Sequence, residues 1–215
     1  MKLTKKTLLV SLAVALPIVL GGGYLFAKKV AWPRYKQYRA ASFERSARTL
    51  LDQGDFENAL LFVRKNLAAN QQNVSSWRLA AEIAEKRDDP NALFYLQRLL
   101  ALDPTLENRM RLLRRALVLR ADAVATRTVD QAGAEARDSA EFHELAAQVC
   151  LRNGDFIQAK FHLITLCELR PDNRAARLEL AQIRLAEAAA DRRSEVRAEI
   201  RTLAGDPALR ARALV

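Results

Sequence analysis

Glycine and proline are scarce in this chain, at seven and six among 215 residues. β-Branched residues are sparse outside the N-terminus, and no stretch after residue 30 alternates apolar and polar side chains over strand length. Both absences exclude a β-rich fold, which needs that alternation and glycine- or proline-marked turns. Two cysteines, Cys150 and Cys167, are too few for a disulfide framework. Both fall on apolar helical faces, where a buried small thiol is expected. The histidines, His143 and His162, have no companion ligands at metal spacing, so packing or surface roles are expected of them. Nucleophile-elbow, phosphate-loop, metal-ligand and dinucleotide patterns are missing as well. Gly21-Gly22-Gly23 lies inside an apolar run and cannot cradle a phosphate, and the acid pairs Glu82/Glu85 and Glu195/Glu199 read as solvated helix faces. No catalytic residue, cofactor or metal ligand is expected, and the chain is not read as an enzyme.

Half of the residues are apolar, which excludes a disordered polymer. Most of these are alanine and leucine, which, with arginine and glutamate, favour helix. The expected fold class is all-α. The net charge of +10 is unevenly spread: residues 28–121 hold a surplus of +8, whereas residues 122–215 sum to −1. Such a surplus suits an anionic lipid surface or an acidic partner as readily as nucleic acid.

Thr7 to Ala27 is a run of 21 residues without a charge, bounded by Lys5-Lys6 and Lys28-Lys29. At about 1.5 Å per residue it can cross a hydrocarbon core about 30 Å thick. Trp32, Tyr35 and Tyr38 follow where amphipathic rings favour the interface. A cleaved signal peptide is the rival reading, but small residues do not stand at the −3 and −1 positions after the apolar core. We expect a basic tail (1–6), one transmembrane helix (7–27) and a juxtamembrane segment (28–39). Seven Lys/Arg within about twenty residues after the span against three before it would keep the remainder in the cytoplasm, whereas the short Lys-rich tail is that of a secretory signal-anchor. The expectation is a bacterial inner-membrane protein whose larger part is extracytoplasmic.

Two later segments echo each other a hundred residues apart: Gly54-Asp55-Phe56-Glu57-Asn58-Ala59 and Gly154-Asp155-Phe156-Ile157-Gln158-Ala159. Arg87-Asp88-Asp89-Pro90-Asn91-Ala92 is a weaker copy, and Pro104 and Pro171 stand 67 residues apart, two periods near 34. Self-similarity of this period means stacked supersecondary units. The segment Ala140–Asn173 resembles the tetratricopeptide repeat, a helix-turn-helix: Ala146-Ala147 lies in the first helix, Asn153-Gly154-Asp155 in the turn, Ala159 in the second helix and Pro171 at its close. Small residues let paired helices approach, glycine permits a turn with φ > 0, and proline ends a helix. Copies near 40–73 and 74–106 are good, 107–139 lacks the Gly-Asp turn and has no clear register, and 174–206 forms a helical pair with a weak turn near Ala190-Asp191. The resemblance implies an α-solenoid of stacked repeats over residues 40–206. Asp206-Pro207 and the apolar-striped residues 208–215 read as the start of a further helix, so the chain is expected to stop inside a repeat.

In this repeat family the first helix of each pair usually lines the ligand groove. The resemblance therefore implies a groove lined by Glu44, Arg48, Arg78, Glu82, Glu144 and Gln148, whose mixed charge suits a polar, extended segment of another protein. The Lys/Asn set with which some members clamp a peptide carboxylate is not found there. The densest basic segment holds Arg109, Arg111, Arg114, Arg115 and Arg120 on a leucine-striped helix. No aromatic residues interleave these arginines, so a solvated face, or a site for an acidic peptide or lipid headgroup, outranks nucleic acid. The functional expectation is a membrane-anchored scaffold that binds a protein partner, serving assembly or regulation of a bacterial envelope complex, with no specific nucleic acid and no small-molecule substrate. The alternative is a regulatory or recruiting module of a larger enzyme.

Overall fold

A computed structural model describes residues 32–205. The expected basic tail, transmembrane run and further C-terminal helix lie outside these residues. The described residues form ten α-helices, one short 3-10 helix and no strand. They are α1 (Trp32–Asp52), α2 (Phe56–Ala69), α3 (Val74–Lys86), α4 (Ala92–Leu102), α5 (Leu106–Val118), α6 (Asp122–Asp130), α7 (Ala140–Arg152), α8 (Phe156–Leu169), α9 (Arg174–Glu187) and α10 (Arg193–Ala204). No described helix is long and apolar enough to cross a membrane. From Trp32 onward the expected juxtamembrane segment is helical and continuous with the first repeat.

Turns of one design join the helices within a pair. Gly54, Asp88, Arg120 and Gly154 adopt φ of 79°, 55°, 53° and 75°. In each turn the next residue donates its N–H to the carbonyl five positions back: Asp55 to Leu50, Asp89 to Ala84, Ala121 to Ala116 and Asp155 to Cys150. That pattern satisfies the orphan carbonyls of a helix C-terminus. The turn residues stand 34, 32 and 34 apart, so the repeat persists through the stretch whose register the sequence left open. Arg120 fills the glycine position there, and Ala125 is buried like Ala59 and Ala159 in the first and fourth repeats.

The pairs begin as regularly as they turn. Asn73, Thr105, Ser139 and Asn173 each accept, through a side-chain oxygen, the backbone N–H of the residue three positions on. The first three stand 15 residues before the turns at 88, 120 and 154. Asp55 and Asp155 cap α2 and α8 in the same way. Each cap supplies an acceptor to an N–H with no intrahelical partner.

The chain divides into two units, with the boundary inside α3 after Ile83. In the first, α1 packs on α2, burying Ala47, Leu51, Ala59 and Val63. The buried Asn66 amide there donates to the Ala40 carbonyl at 3.2 Å and to Ser76 Oγ at 2.9 Å, tying three helices together. In the second, one cluster joins α5, α6 and α7 through Leu113, Ala116, Ala125, Phe142 and Ala146. Another joins α7, α8 and α9 through Ala147, Ala159, Leu163, Ala176 and Leu180. Leu178 and Leu203 close the contact of α9 with α10. Alanines at these crossings leave no room for larger side chains.

Candidate partner-binding face

The common register puts the six groove candidates at two positions of the first helix, five and nine residues after the cap position. Arg78 and Glu82 follow Asn73 at these distances, and Glu144 and Gln148 follow Ser139. Glu44 and Arg48 hold the corresponding places in α1, ten and six residues before Gly54. The turn at Arg120 extends the register to the repeat the sequence could not align, and adds Met110 and Arg114. The constant spacing of cap to turn is the signal that would have found them.

In the first unit the Glu44 carboxylate accepts hydrogen bonds from Arg48, one helical turn away, and from Ser75 at the start of α3. Partial burial pushes its pKa up, but these hydrogen bonds and the charge of Arg48 outweigh burial and hold it below the ordinary value. Arg78 is exposed and Glu82 half-buried on α3. A cleft beside Glu44 is lined by Tyr35, Arg39, Phe43, Asn66 and Asn73, with the Arg39 guanidinium 5.7 and 5.3 Å from the Tyr35 and Phe43 ring centroids.

In the second unit Gln148 is exposed and Glu144 half-buried on α7. In the same unit a cavity of about 440 Å³ lies between the end of α7, the start of α8 and α9. Its apolar walls are Leu151, Phe156, Ile183 and Ala186, and Glu179, Gln182 and Glu187 complete the lining. Lys160 pairs with Glu187 at one edge. An apolar hollow among carboxylates can take one apolar side chain with basic neighbours.

The five arginines of the basic segment do not share one solvent face. Arg109 is buried, at 6% exposure, and donates to the Thr128 carbonyl at 3.1 Å. Arg111 pairs with Glu85, Arg114 with Glu141, and Arg115 with Asp88 and the Asp89 carbonyl. Arg120 occupies the left-handed turn position. Carboxylates 26 or 27 residues away in sequence thus neutralise three of them, and such partners cannot be read from the local pattern.

The two histidines face each other, with Nδ1 atoms 2.9 Å apart and both rings buried. His143 Nε2 lies 3.0 Å from the Arg137 carbonyl, so that N–H donates there and leaves Nδ1 to accept from His162. Burial, and then the neighbouring His143, push His162 down to about 4, so the His162 ring is uncharged at neutral pH. No group of three metal-capable side chains occurs among the described residues. Burial, with Asp155 and Asp130 adding to it, pushes the Cys150 thiol up to about 11, and burial raises Cys167, so neither is a thiolate at neutral pH.

No family model and no curated protein matches the sequence. Solved structures do match. A MamA crystal structure superposes with a TM-score of 0.64 at 16% identity, covering 81% of this chain and 94% of that one. YrrB, described as a TPR protein with an unusual peptide-binding site, gives 0.62 at 16% identity over 80% and 88%. PilF of Pseudomonas aeruginosa gives 0.54 at 16% identity over 83% and 81%. The fold resembles that of tetratricopeptide-repeat solenoids.

Proposed function

We propose that this protein is a non-enzymatic, membrane-tethered adaptor that holds an extended segment of another protein against the first helices of its repeats. The observation that supports this most is the cavity of about 440 Å³ between the end of α7, the start of α8 and α9. Its apolar walls take an apolar side chain, and Glu179 and Glu187 in its lining favour lysine or arginine on either side of it. The peptide-binding site named for YrrB lends the reading a precedent on the same fold. The uncharged run Thr7–Ala27 supports the tether, and an envelope complex is the setting such a tether implies.

Site-specific photo-crosslinking in membranes tests the partner site. A crosslinker at Gln148 or Gln182 is expected to trap one protein, and the same group at Glu168 on α8 is not. Trapping from Glu168 alone, or equally from all three, refutes the site. Carbonate washing of the same membranes tests the tether. The chain should stay in the pellet with its N-terminus intact by mass spectrometry, and release of a chain beginning near Lys28 would remove the anchor from the proposal.

A further inference from the structure

A second cavity, of about 450 Å³, lies between α4, α5 and α6, all in the second unit. Its origin is in the helix lengths. The second helices of the flanking repeats, α2 and α8, have 14 residues each, whereas α4 has 11 and α6 has nine. α6 ends ten residues after its turn residue, whereas α2 and α8 end 15 after theirs, which leaves a hollow where the last turn of α6 would pack. Arg109 lines it, at the position held by Trp77 and His143 in the neighbouring repeats.

Its charge is incompletely matched. Among the described residues, the buried guanidinium of Arg109 pairs with one carboxylate, Glu135, at 3.4 Å. That carboxylate is exposed and already accepts the Gly133 N–H. The Arg109 Nε is buried without an acceptor among the described residues. A buried cation so placed favours an anion nearby. Arg127 adds a second positive charge at the exposed rim, Gln97 and Gln131 offer amide donors, and Leu112 and Val124 form apolar wall.

We propose that this cavity is a binding site for a small organic monocarboxylate with a short apolar group. With Glu135 offsetting one of the two arginines, the cavity retains about one positive charge, which suits a monoanion better than a dianion. Guanidinium groups match the planar carboxylate, and the apolar walls take the hydrocarbon part. Bound ligand neutralises the floor of the third repeat and stabilises α5 against α6.

The full chain in detergent, titrated with sodium butanoate, tests the site, with sodium chloride and sodium phosphate at matched ionic strength as controls. Ligand-observed NMR and thermal melting provide the readouts. Butanoate should bind saturably and raise the melting temperature beyond the chloride control. Phosphate should do neither. Arg127→Ala, at the exposed rim, should fold normally and weaken butanoate binding about tenfold, as expected for loss of a charged hydrogen-bond donor. Arg109→Lys, where it folds, should weaken it further, because a point charge cannot replace the fork. Absence of saturable binding, equal effects of phosphate, or an unchanged affinity in Arg127→Ala overturns the proposal.

Discussion

Replacing a single methyl group or moving a single proton tests the packing most directly. Ala159 has no exposed surface and sits among Ala147, Leu163 and Ala176 where α7, α8 and α9 meet. Ala159→Leu should therefore destabilise the fold by about 1–3 kcal/mol through overpacking, read from urea or thermal melts. An unchanged melt would mean that the crossing is loose. His162 tests the same region by charge. Its folded pKa, about 4, lies below the ordinary histidine value of 6.5, so between these values the unfolded chain binds more protons than the folded one. Stability is then complete above about pH 6.5 and declines as pH falls towards 4, by roughly 3 kcal/mol at most. His162→Asn can keep a donor towards His143 but cannot titrate. The difference between wild-type and variant stability should shrink with falling pH, and a constant difference would show that the pair is not protonated on unfolding.

At the scale of the element, the turns explain why one repeat escaped the sequence. A helix C-terminus of this kind needs a residue with φ > 0, and glycine adopts it without strain. Gly54 and Gly154 announce their turns, whereas Asp88 and Arg120 adopt the same conformation without announcing it. The two kinds of turn should respond oppositely to substitution. A Cβ at Gly154 would meet nothing within 4 Å, so Gly154→Ala should cost about 1 kcal/mol from backbone conformation alone. Arg120→Gly removes a left-handed side-chain residue and should be neutral to stabilising by about 0.5 kcal/mol after the entropic cost of glycine. Paired chemical-denaturation curves check both signs, and destabilisation by Arg120→Gly would mean that the arginine side chain itself holds the turn.

For the whole molecule, the net charge of +10 is not concentrated in one basic patch, because Arg111, Arg114 and Arg115 are each paired with a carboxylate and Arg109 is buried. A chain of this charge should attract nucleic acid at low salt and release it at physiological salt, since counterion release alone drives the attraction. Titration of fragment 28–215 with mixed-sequence DNA and RNA at both salt concentrations checks this. Sub-micromolar binding that survives physiological salt, and is lost on replacing Arg111, Arg114 and Arg115 by alanine, would overturn the adaptor reading. A protein ligand held in an apolar hollow should instead depend on salt only mildly, because burial contributes part of the affinity.

The alternation of caps, small residues and breakers is local information. The all-α class and the turns at Gly54 and Gly154 were therefore legible from residues a few places apart. What the sequence could not determine was where long side chains end. Arg114 and Arg115 meet carboxylates 27 residues away in opposite chain directions, and His143 meets His162 only because α7 folds back on α8. The cavity over Arg109 depends on the early end of α6, ten residues after its turn residue where α2 and α8 run 15. Backbone hydrogen bonding acts over four or five residues and leaves its mark in the sequence. Charge pairing and packing act across helices, and only the tertiary structure decides which groups they bring together.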